Sequence, residues 1–150
     1  MSDFFEALPV GHRLEGAPFT VSRETIRDFC DASLDYNPLH LDEEFMQGSF
    51  GKTNFGGVIM HGMSNFSLIA KMLTDWSYAG AGVHRRLETR WHAPVRPGDL
   101  IRPSGVVSAK QITAKSRWTV VDVEVQNQRR THRLRSSSDR ISPQRGLINF

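Results

Sequence analysis

Apolar residues recur at helical spacing over residues 23–34, where Ile26, Phe29 and Cys30 are followed four positions later by Leu34. This stretch therefore predicts an amphipathic helix with one stripe turned inward. Ser22 offers a hydroxyl to the unpaired amides of the first turn, and Glu24 places negative charge where the helix dipole favours it. Pro38 excludes its predecessor from helical geometry, so the helix must stop before Asn37 and residues 35–40 are expected to form an irregular loop. Asp42 and the two glutamates after it predict a short helix over 43–47, closed by Gly48. From Gly62 to Trp76 the chain is apolar on two sides, with Met63, Phe66, Ile69, Ala70 and Leu73 on one and Leu68, Met72 and Trp76 on the other. A helix patterned in this way is buried rather than laid on a surface.

Beyond Gly82 the period falls to two. Leu87, Thr89, Trp91 and Ala93 alternate with Arg86, Glu88, Arg90 and His92, which predicts a strand. PVRPGD at 94–99 supplies a turn, IRPSGVVSAK a second strand interrupted by Pro103, and RWTVVDVEV at 117–125 a third. Helices followed by strands joined through short turns are the pattern of an α+β domain. A buried helix ahead of such a meander predicts an antiparallel sheet wrapped around it.

A chain of 150 residues with 39% apolar and 23% charged content matches one ordinary soluble domain. The net charge of +3 suggests a nucleic-acid partner only until it is located. Residues 126–150 hold six arginines against Asp139 alone, a local +5, which leaves the body mildly acidic. That tail has no aromatic residue before Phe150 on which bases could stack, so a nucleic-acid partner is not expected. The single cysteine, Cys30, excludes an internal disulfide and fits a reducing, cytoplasmic compartment. No histidine and cysteine spacing suggests a metal site, and no apolar run is long enough to span a bilayer.

Chemistry is concentrated in two short stretches. DYNPLH, residues 35–40, brings a carboxylate, an amide and an imidazole together at a proline-stiffened bend. One reading is a plain Asn-Pro turn in which Asp35 bonds its own loop and Asp42 caps the next helix. The other is that the bend fixes Asp35 and His40 on one side, as loops on a rigid scaffold often do. FGGVIMHGM, residues 55–63, ends with Gly62 opening the buried helix, where unpaired amides favour an oxygen that gains charge. His61 beside it reads as a hydrogen-bonded core histidine.

Together, DYNPLHLDEEF and FGGVIMHGM resemble the hydratase-2 motif of MaoC-like dehydratases, the R-specific enoyl-CoA hydratases. The family's D-x-N-P-x-H core is matched at Asp35, Asn37, Pro38 and His40, and WHAPVRPGDLI resembles its strand–turn–strand. The resemblance covers roughly residues 10–128. It implies a hotdog fold acting as a homodimer or a higher homo-oligomer of dimers, and reversible addition of water to a trans-2-enoyl-CoA thioester with neither metal nor redox cofactor. It further implies Asp35 and His40 as the catalytic pair, Gly62 as the oxyanion-binding amide and Asn37 as the residue that holds the bend. Some members carry a serine where this chain has Ala70, so no third side chain is assigned. A hotdog thioesterase and a non-catalytic acyl-thioester binding module are the alternatives. The domain is expected over residues 1–128, followed by an atypical basic tail over 129–150. That tail lacks the alternation of a final strand, so the sheet is expected either to lose an edge strand or to have that edge covered in some other way.

Overall fold

Ser22 caps the first long helix as its position predicts. In the computed structural model, which describes residues 4–48, 55–128 and 144–149, its hydroxyl accepts the Thr25 N–H at 3.0 Å. The Thr25 hydroxyl in turn accepts the Ser22 N–H at 2.9 Å, a reciprocal cap. The chain begins with a one-turn helix, α1 (Phe4–Ala7), and two short strands, β1 (Arg13–Glu15) and β2 (Phe19–Thr20). The capped helix is α2 (Arg23–Ser33), which buries Ile26 and Cys30. It stops at Leu34, whose φ of 59° lies in the left-handed region that costs a branched residue about 1 kcal/mol.

The expectation that residues 35–40 are not helical is corrected in part. Pro38–Leu41 forms a single helical turn, α3, with Pro38 at its first position and Asn37 as its N-cap. Proline excludes its predecessor from a helix but is well suited to the first helical position itself, because its missing N–H would have had no partner there. Helix α4 (Glu43–Gln47) follows at its expected bounds, with the Asp42 side chain accepting the Phe45 N–H. The central helix, α5, runs over Gly62–Tyr78.

The remaining strands are β3 (Val83–Glu88), β4 (Leu100–Ile112), β5 (Arg117–Asn127) and β6 (Gln144–Asn149). They make one sheet in the order β1-β4-β5-β6-β3, with β2 also on β4, and every pairing is antiparallel. Strand β3 stops at Glu88, so Thr89, Trp91 and Ala93 lie outside the strand their alternation predicts. Pro103 does not interrupt β4. Its carbonyl accepts the Gly16 N–H, which places its missing donor on the side facing the gap between β1 and β2, where no ladder bond is lost.

The question of a final strand is settled by β6. It lies between β5 and β3, with Ile148 opposite Thr119 and His84. Of the tail, residues 129–143 and 150 lie outside the described residues.

Helix α5 rests on one face of this sheet. Its Ile69, Met72 and Leu73 pack with Leu14 of β1, Val107 of β4, Val121 and Val123 of β5 and Ile148 of β6. This is the α+β hotdog arrangement, an antiparallel sheet wrapped around a buried helix. Contact is closest at Gly146, where a Cβ would lie 2.8 Å from Leu73 Cδ1. The helix is thereby pinned along its length, and its N-terminus is held at one end of the sheet. Because Ile148 is fully buried, Ile148→Ala is expected to lower stability by about 2–4 kcal/mol in urea unfolding. An unchanged midpoint would put β6 outside the core.

Candidate active site

The bend after α2 is built from its own short polar side chains. The Asp35 carboxylate accepts the Asn37 N–H at 3.2 Å, and the Asn37 side-chain oxygen accepts the Leu39 N–H at 3.1 Å. The His40 N–H returns to the Asn37 carbonyl at 3.0 Å. Asn37 therefore links the Asp35 turn to α3, and the third residue of that helix is His40.

Residues 58–61 run alongside this turn. The Ile59 N–H donates to the Leu39 carbonyl at 3.1 Å, and His40 Nδ1 lies 2.7 Å from the Ile59 carbonyl. A carbonyl can only accept, so Nδ1 carries the proton and Nε2 presents its lone pair. On its other side the segment is held by the Met60 N–H on the Val95 carbonyl at 2.8 Å. The Arg96 guanidinium adds two donors to the Phe55 carbonyl.

His61 joins these pieces. It is 2% exposed, and its ring stacks on that of His40 with centroids 3.6 Å apart and planes 24° apart. Nε2 donates to the Asp35 carbonyl at 3.1 Å, while Phe29 and Cys30 of α2 pack beside the ring. The reading of His61 as a hydrogen-bonded buried histidine therefore holds, but the ring also connects Asp35 to His40. A contact across 21 positions leaves no local trace in sequence. Burial holds the His61 pKa below its ordinary value, the neighbouring His40 adds to this, and the bond to the Asp35 carbonyl opposes it. Burial likewise raises the Cys30 thiol.

Ligand-type atoms of Asp35, His40 and His61 lie within 4.8 Å of one another, the one such group among the described residues. Nitrogen lone pairs lie in the ring plane, and two nearly parallel stacked planes converge far beyond the ~2 Å of a metal–nitrogen bond. Both imidazoles therefore cannot bind one ion, whereas a carboxylate and one free Nε2 can share a water.

The start of α5 follows at once. His61 is its N-cap without a side-chain cap bond, and the Ser64 N–H turns back to the His61 carbonyl at 3.1 Å. Among the described residues nothing accepts the Gly62 N–H. Glycine is required at 62 because a Cβ would lie 2.7 Å from the indole nitrogen of Trp91.

The profile of the family described as "MaoC like domain" matches residues 5–129. The chain belongs to the MaoC-like family. It is 29% identical over 122 residues to an (R)-specific enoyl-CoA hydratase of Rhodospirillum rubrum, covering 78% of this chain and 81% of the relative. It is 32% identical over 98 residues to a 3-hydroxybutyryl-CoA dehydratase of Methylorubrum extorquens, covering 65% of this chain and 59% of that relative. Among solved structures, a MaoC-like dehydratase from Rhodospirillum rubrum superposes with a TM-score of 0.72 at 25% identity, over 96% of this chain and 92% of that one.

In this MaoC-like chain the buried neutral His61 links the site to pH. The unfolded chain takes up the proton near the ordinary value of 6.5, and the folded chain does so only at a lower pH. Its contribution is therefore complete above that value and is lost as pH falls through it. The urea midpoint is expected to drop between about pH 7.5 and about 5.5, and His61→Gln to flatten that slope. An identical slope in the variant would contradict the assignment.

Proposed function

We propose that this chain is an (R)-specific enoyl-CoA hydratase, a hydro-lyase that adds water reversibly to trans-2-enoyl-CoA thioesters to give (R)-3-hydroxyacyl-CoA. Family membership and the named relatives support the reaction class. The observation that carries the assignment to these residues is the His40 Nδ1 bond to the Ile59 carbonyl, which leaves Nε2 available as a base in a ring that has a ligand-type nitrogen within 4.8 Å of an Asp35 carboxylate oxygen.

In the proposed reaction the thioester carbonyl accepts the Gly62 N–H, and the dipole at the start of α5 favours the charge that collects on that oxygen. This draws electron density from the double bond and exposes the β-carbon to a water held between His40 Nε2 and Asp35. As the new C–O bond forms, the pair removes one proton from the water and the α-carbon gains one. Holding the water between two fixed groups lowers the entropic cost of bringing the partners together. Asn37 keeps the pair in register through the Asp35 turn and the α3 cap. The reading includes a homodimer formed through the edge of β3, the last strand in the sheet order. It also includes a cytoplasmic setting, which suits the reduced Cys30 thiol. No helix among the described residues is long and apolar enough to cross a membrane.

Asp35→Asn and His40→Ala are each expected to reduce hydration of crotonyl-CoA by about 10²-fold or more, measured as loss of the enoyl absorbance. Turnover near that of the wild type in both variants would refute the assignment. Release of free thiol in place of hydration would select a thioesterase instead.

A further inference from the structure

Trp91 is a large side chain beside this site that the core does not account for. It is 45% exposed, follows β3 without belonging to it, and contacts the first residue of α5. A Cβ at Gly62 would meet its Nε1 at 2.7 Å, Cε2 at 2.9 Å and Cδ1 at 3.2 Å. Were the ring edge-on, the two atoms bonded to Nε1 would lie about 1 Å farther from that point than Nε1 itself. They are only a few tenths of an ångström farther, so the face of the indole lies over the Gly62 Cα.

Two features follow from this placement. The ring borders the Gly62 amide, which has no acceptor among the described residues, and nearly half of the side chain is left exposed beside it. Met63, the next residue of α5, is also exposed. A carbonyl oxygen on the Gly62 N–H has its α-carbon two bonds away, within reach of a flat wall standing beside the donor.

We infer that Trp91 is a specificity-determining residue, the wall beside the Gly62 amide that admits thioesters unbranched at the α-carbon and rejects those with an α-methyl group. The inference rests on the hydratase reading and names the substrate class within it. A rigid, two-torsion aromatic wall rejects an added methyl because it can yield little, and its removal opens a volume next to the α-carbon.

The test compares kcat/KM for crotonyl-CoA and for trans-2-methyl-2-butenoyl-CoA in the wild type, Trp91→Phe and Trp91→Ala. A ratio of two substrates on one preparation is insensitive to the fraction of protein that folds. The wild type is expected to prefer the unbranched substrate. Trp91→Ala is expected to raise the branched-to-unbranched ratio by about tenfold or more, with Trp91→Phe between the two. An active wild type whose ratio is unchanged in Trp91→Ala would overturn the inference and leave the hydratase reading intact. So would a variant altered only in oligomeric state. A wild type inert toward crotonyl-CoA would remove both.

Discussion

The site depends on one hydrogen bond, from His40 Nδ1 to the carbonyl of Ile59. Without it the imidazole could carry its proton on either nitrogen and rotate about two torsions. With it the tautomer is set, the ring plane is fixed, and a lone pair is directed away from the backbone. The acceptor is available because residues 58–61 are not paired in the sheet. Their backbone groups bond instead to α3 on one side, through Leu39, and to Val95 on the other. A segment that needs partners and a side chain that needs orienting satisfy each other.

The rest of the fold keeps those two strips of chain together. Leu34 turns the chain out of α2 at a backbone angle unfavourable for leucine, a strain held in place by the capped helix before it and the Asp35–Asn37 bonds after it. The stacked His61 ring then joins Asp35, through its carbonyl, to the His40 face. Because His61 is also the N-cap of α5, the helix pinned in the sheet delivers the Gly62 amide to the same place. A buried neutral histidine is costly at acid pH, so the connection that assembles the site also limits its stability there.

Much of this was legible along the chain. The Ser22 cap, the end of α2, the bounds of α4 and the burial of α5 follow from local rules that depend on neighbours within four positions. The turn at Pro38–Leu41 is less legible because proline acts in two opposite ways, barring Asn37 from helical geometry while fitting the first helical position itself. Strand β6 is hard to read in QRGLIN because the buried positions described there are Gly146 and Ile148, and a glycine gives no apolar signal. The alternation around Trp91 predicts a strand face, whereas its contact is with Gly62, 29 positions earlier. The motifs point to Asp35, Asn37, His40 and Gly62 as candidate residues. The contact that orders them, the stack of His61 on His40, is a product of tertiary structure.

The most direct measurement is the tautomeric state of the histidines, read from the imidazole nitrogen and carbon-bound proton correlations of ¹⁵N-labelled protein near neutral pH. The account predicts that neutral His40 carries its proton on Nδ1 and leaves Nε2 unprotonated, with His61 in the opposite form. Neutral His40 protonated on Nε2 would contradict it, since the ring could then neither donate from Nδ1 to the Ile59 carbonyl nor offer Nε2 as a base.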